Sequence, residues 1–278
     1  WEEAARVTER IVELDPNQLG DREALIALYQ RLGHTGQAVE QQFHLARRYQ
    51  ERNETERAIS LYEEVLKFQV DNQEARRFLV DAYLDAGRVS AALEQAEALT
   101  EHYLDTKDHH TAIYLYSRLV DADPENVELQ ERLVKFYGLA GDPENAKSRW
   151  VHISDLHERN GRYDRAAEAV QKALELDESQ IDLQHRLALL YAERLGDNQA
   201  ALGQLRKLFH MAPDRMDAVK MYIDLLLKEE QVSEAGQVLQ RLEQAGGESV
   251  EIKSNVIALL KASVEGNPND LKARFNYG

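Results

Sequence analysis

Cysteine is absent from this 278-residue chain, and with it go disulfides, thiolate nucleophiles and cysteine-based metal centres. The compartment stays open on that ground, because a chain without cysteine suits cytosol and periplasm alike. Apolar residues never run on for the roughly eighteen positions needed to cross a bilayer. No stretch reads as a secretory leader, and cytoplasmic residence is the expectation. Strand-like alternation is missing, as are a glycine-rich phosphate loop, a nucleophile elbow and any Ser/His/Asp set standing outside the general pattern. A catalytic role is therefore not expected, and no cofactor is implied. Lys and Arg do not cluster and the net charge is −16, which disfavours nucleic acid and anionic membrane surfaces. The nine histidines include His102, His109 and His110, then His152 and His157, with no acidic residue at a zinc-motif spacing. No metal site is expected.

What the chain does have is a period. Ala38, Ala58, Ala92, Ala112, Ala146 and Ala166 are separated by alternating steps of 20 and 34 residues, giving a unit of 54. Tyr29, Tyr83, Tyr137 and Tyr191 keep the same step, as do Leu25, Leu79, Leu133 and Leu187. Gly33, Gly87 and Gly141 follow it too, and Pro16, Val70, Pro124 and Glu178 mark the stops, with Pro213 and Pro268 coming 35 and 55 residues further on. The units read as 17–70, 71–124, 125–178, a short 179–213, and 214–268. A period in this range means that each unit cannot bury its apolar face alone and must stack on its neighbours.

Within a unit the apolar spacing is helical: Leu25, Leu28, Tyr29 and Leu32 fall at i, i+3, i+4 and i+7, one stripe of an amphipathic helix. Asn53 with Glu56, and Asp71 with Glu74, read as capping boxes, and Asp142 before Pro143 as a cap followed by a proline at the first helical position. These signals predict an all-α chain of about sixteen helices joined by short connections. They lie near 2–14, 21–32, 35–52, 55–69, 72–86, 88–106, 109–122, 126–139, 143–160, 163–177, 180–195, 198–211, 214–229, 232–245, 249–265 and 269–278.

The columns Leu79, Tyr83 and Gly87, the Asp-Pro-Glu-Asn run at 123–126, and Leu187, Tyr191, Gly196, Ala201 and Pro213 resemble the tetratricopeptide repeat, and the resemblance covers essentially the whole chain. It implies a right-handed α-solenoid. The ordinary repeat has two helices in 34 residues, whereas four units here carry three, because Leu45 follows Ala38 by only seven residues and the helix at 35–52 fills two roles. The family's small first-helix glycine is replaced by Ile26, Val80, Val134 and Ala188.

The resemblance also implies a function: a non-catalytic scaffold or adaptor that binds a peptide or helix of a protein partner in a concave groove. By position the groove would be lined by Arg77, Asp81, Glu131, Lys135, His185, Leu189, Lys220, Asp224 and Lys228, with Leu84, Leu139 and Leu227 nearby. Glu131–Lys135 doubles as an i,i+4 charge pair on a solvated face. The family's clamp for a C-terminal carboxylate is not matched, since its asparagine positions hold Asp81, Lys135 and Leu189. Most of the negative charge, net −15, falls in residues 1–200, where it keeps a long array soluble and favours a basic partner. The ends read as unfinished repeats, which predicts a segment of a longer, bacterial repeat protein that exposes Val7, Ile11, Phe275 and Tyr277. Self-assembly through stacked solenoid ends is the alternative role, and a regulatory or lid domain of an enzyme a third.

Overall fold

The computed structural model describes residues 1–244. The described residues divide into two compact units, one before and one after the boundary between Asp142 and Pro143, and every regular element among them is helical. The first unit holds α1 (Glu2–Leu14), α2 (Leu19–Leu32), α3 (Thr35–Glu51), α4 (Thr55–Phe68), α5 (Gln73–Asp85), α6 (Val89–Thr106), α7 (His109–Ala122) and α8 (Val127–Ala140). The second holds α9 (Pro143–Arg159), α10 (Tyr163–Leu176), α11 (Ile181–Leu189), α12 (Asn198–Met211), α13 (Met216–Lys228) and α14 (Val232–Gln244). A π-helical turn, Leu190–Leu195, continues α11. In each unit consecutive helices pack on one another in chain order, so each is an α-solenoid segment. The helices expected at 249–265 and 269–278, with Phe275 and Tyr277, lie outside the described residues.

The repeating columns have backbone jobs. Gly33, Gly87 and Gly141 close their helices with φ of 73°, 70° and 75°, a left-handed conformation that costs a side-chain-bearing residue about 1–2 kcal/mol. The following residue then donates its N–H to the tyrosine carbonyl: His34 to Tyr29 at 2.9 Å, Arg88 to Tyr83 at 2.7 Å and Asp142 to Tyr137 at 3.0 Å. That is the six-to-one bond of a Schellman stop. In the next repeat Asp197 donates to Tyr191 across one more residue, at 2.8 Å, beyond Gly196 at φ 68°. The extra residue is taken up by the π turn. This one-residue insertion explains why Pro213 stands 35 rather than 34 positions after Glu178.

A second column seals the joints between successive repeats. Arg76 Nη2 donates to the Val70 carbonyl at 2.9 Å, Gln130 Nε2 to Pro124 at 3.0 Å and Gln184 Nε2 to Glu178 at 3.5 Å. The stop residues thus give their carbonyls to a side chain from the next helix, which ties each exposed stop to the helix that follows it.

Two expected caps are corrected. Asn53 does not cap α4, because it occupies the left-handed region at φ 58° and Glu54 stands at the helix start. At α5 the cap is Asn72 rather than Asp71: its Oδ1 accepts from Ala75 N at 2.8 Å while its Nδ2 donates to Gln69 at 2.7 Å. A carboxylate could make only the first of these bonds, and Asn126 repeats both, to Leu129 N and to Asp123. Pro143 does open α9.

The helix with two roles is real. Ala38 and Leu45 of α3 are both buried, as are Ala92 and Leu99 of α6 and Ala146 and Ile153 of α9. One stripe of α3 therefore serves both α2 and α4, its two packing neighbours. Tyr62, fully buried, stacks on Phe78 with centroids 5.2 Å apart and planes 8° from parallel. Such a pair adds about 0.5–1.5 kcal/mol beyond its area burial.

Candidate partner-binding site

The nine positions expected to line a groove fall into different environments. In the first unit Arg77 is half-buried with its guanidinium 4.8 Å from the Phe78 ring centroid. One turn on, Asp81 forms an ion pair with Arg118 of α7, which also bonds Asp85 at 3.0 Å. Burial pushes the Asp81 carboxyl above its ordinary range, against the pull of Arg118. Buried Tyr103 faces both Arg77 and Asp81, and its hydroxyl is pushed up to about 12, mainly by burial. Arg77 and Asp81 are therefore parts of a packed network joining α5, α6 and α7, and Asp81 is tied within the protein.

Glu131 and Lys135 are exposed, but among the described residues the ion pair expected between them does not form. Arg132, the neighbour of Glu131, takes the carboxylates instead, with Glu97 of α6 at 2.8 Å and Glu128 at 2.9 Å. Arg132 can reach α6, two helices back, because it lies on the half-buried flank of α8.

In the second unit the candidates come together. Arg215, just ahead of α13, reaches back to Asp182 of α11 at 2.5 Å and to Asp217 at 3.3 Å. His185 Nδ1 lies 3.3 Å from Arg215 Nη2 and 3.5 Å from Asp217. Burial works against the Asp217 charge, yet the Ala218 N–H and the His185 and Arg215 charges hold its carboxyl below the usual range. This polar clasp fixes α13 against α11. From it Lys220, Asp224 and Lys228 step along α13 at i, i+4 and i+8, all exposed, with Leu189 of α11 and Leu227 half-buried beside them. Among the described residues, none of those three charges is bound to another side chain of the chain.

Arg118, Tyr103, Asp182 and Arg215 were not among the expected positions. The sequence does carry a signal for three of them: Arg118–Asp85 and Arg215–Asp182 are opposite charges 33 residues apart, one residue short of a two-helix repeat.

The second unit also contains a groove of about 570 Å³ between α10, α11 and α12. None of the nine expected residues lines it. Among the described residues, no group of acidic, histidine or cysteine side chains could hold a metal ion, and no helix is long and apolar enough to cross a membrane.

Models of the tetratricopeptide repeat match residues 49–111, 148–180 and 186–249, together more than half of the chain. No curated protein matches. Similar solved structures include MamA, at 20% identity over 51% of this chain and 91% of that one, TM-score 0.33. Another is a signal-transduction ATPase with numerous domains and a tetratricopeptide repeat sensor from Pyrococcus horikoshii, at 16% identity over 99% of this chain and 45% of that one, TM-score 0.37. A third is the Naa15/Naa10 complex bound to HypK-THB, at 16% identity over 84% and 43%, TM-score 0.32.

Proposed function

The chain belongs to the tetratricopeptide repeat superfamily and is in general terms a protein-interaction scaffold; from that premise we propose that a partner segment docks on the face built by α11 and α13. The observation that carries this reading is the contrast between Asp81 and the charges of α13. Asp81 is already engaged by Arg118, whereas Lys220, Asp224 and Lys228 are exposed on α13 beside the ion pairs of Arg215. Charges that the protein does not use itself, mounted on a fixed helix and bordered by Leu189 and Leu227, suit recognition of a peptide or helix with complementary charge. Glu131 and Lys135 belong to the same reading in the first unit, Arg77 and Asp81 to its support. On this view residues 1–278 form one scaffold segment made of the units 17–70, 71–124, 125–178, 179–213 and 214–268. A charge-reversed Lys220→Glu/Lys228→Glu chain is expected to lose its partner in a pull-down from native extract while keeping its thermal midpoint. Retention of the partner at wild-type level removes this face from consideration.

A second reading, self-assembly, is favoured by one feature. Trp1, Val7, Ile11 and Leu14 are 71%, 56%, 42% and 73% exposed, and Val7, Ile11 and Leu14 share one side of α1 by helical spacing. Association through that side predicts a mass by light scattering that rises with concentration and returns to monomer in Val7→Glu/Ile11→Glu; a constant monomer mass rules it out.

A further inference from the structure

The groove between α10 and α12 is built differently from the α11–α13 face. Its floor is apolar, from buried Leu174 and Leu187, and Met211 at its edge is 40% exposed. Its two walls differ in charge: Glu175 and Glu178 lie on the α10 side, Lys207 and the His210 imidazole on α12. Nearby charges of the same unit are engaged internally, Lys147 with Asp177, Arg186 with Glu158 and Arg206 with Glu234. Among the described residues, the side chains of Glu175, Glu178, Lys207 and His210 have no such partner. Two carboxylates thus flank one side of an apolar trough, and an ammonium group with a neighbouring imidazole the other.

A further observation comes from the floor. Gln184 is only 4% exposed, and its Oε1 is buried without a hydrogen-bond partner, a state that costs about 1–3 kcal/mol. Its equivalent Gln130 has the same unfilled acceptor, so both belong to the packing of the repeat, and Gln184 closes the groove floor without offering it an acceptor.

We propose that this groove is a second binding site, taking a segment of another protein that presents one apolar side chain flanked by a basic and an acidic one. The apolar side chain sits over Leu174 and Leu187, the basic one faces Glu175 and Glu178, and the acidic one faces Lys207 and His210. The site is independent of the α11–α13 face and shares no residue with it.

The test uses the full chain and short fluorescein-labelled peptides centred on Lys-Leu-Glu, Lys-Leu-Lys or Lys-Ser-Glu, followed by anisotropy and by NMR shifts of the His210 ring. Lys-Leu-Glu should bind best, with each mismatched charge costing up to about fivefold, the scale of a partly exposed ion pair. Lys207→Glu should reverse the preference toward Lys-Leu-Lys, a gain of binding that misfolding cannot imitate. Lys220→Glu/Lys228→Glu should leave all three affinities unchanged, which separates this site from the other face. Equal binding of the three peptides, no saturable binding, or a preference that Lys207→Glu does not reverse overturns the proposal.

Discussion

Arg118 and Asp85 meet at 3.0 Å although 33 residues separate them, and the same guanidinium holds Asp81. The contact joins α5 to α7 across the helix between them. Removing Arg118 leaves Asp81 half-buried without its partner, so Arg118→Ala is expected to cost about 1–2 kcal/mol. Asp81 has a folded-state pKa raised above its unfolded value, so its contribution is most favourable below the unfolded value and declines as pH rises through the folded one. Without Arg118 the carboxylate loses its counter-charge, and the decline steepens. Urea denaturation should therefore show a larger loss for Arg118→Ala at pH 7 than at pH 4; an equal loss at both speaks against an electrostatic role.

Asn72→Ala should destabilise by about 1 kcal/mol, the usual value of a helix cap, and Asp71→Ala by a few tenths at most. Two chemical-denaturation curves decide between the residues, and the reverse order would restore the capping box first expected from sequence.

Gly141 and Gly138 lie three residues apart and respond in opposite ways. Neither has an atom within 4 Å of an added Cβ, but only Gly141 has a positive φ, +75°. Gly141→Ala is expected to cost about 1–2 kcal/mol, whereas Gly138→Ala, inside α8, should stabilise by about 0.5–1 kcal/mol. Thermal midpoints moving in the same direction would contradict the assigned stop.

The π turn at Leu190–Leu195 holds one residue more than its repeat needs. Deleting exposed Glu193 should convert the turn to regular α-helix with stability kept or raised. Deleting exposed Lys135 from α8 should rotate every later side chain of that helix by about 100° and abolish cooperative unfolding. Circular dichroism melts of the two deletions make the comparison; similar losses in both would mean that the turn is not a tolerated insertion.

Much of the fold was legible because its strongest columns answer backbone needs. Tyr29 with Gly33, and their equivalents, repeat because a helix must stop the same way each time, and Ala38 with Leu45 repeat because α3 must bury two neighbours. All fourteen helices expected within residues 1–244 are there, with α2 beginning at Leu19, two residues early. The caps misled because Asp71 and Asn72 stand side by side and offer similar acceptors; the deciding bond, from Asn72 to Gln69, needs a donor. The site was less legible for a different reason. Whether Asp81 is free or engaged depends on Arg118, 37 residues away, and amphipathic spacing on one helix carries no information about a charge on another. The α10–α12 groove was missed altogether, because its walls come from positions that the family resemblance assigns no role.

The most direct measurement is site-specific photocrosslinking in native extract, with the crosslinker at Asp224 on the α11–α13 face and, for comparison, at exposed Glu168 on α10. A discrete partner band at position 224, absent at 168 and lost when Lys220→Glu/Lys228→Glu is added, is the expected result. Crosslinks of equal strength at both positions, or a band at 224 that survives the charge reversal, would contradict a partner-binding face on α11 and α13.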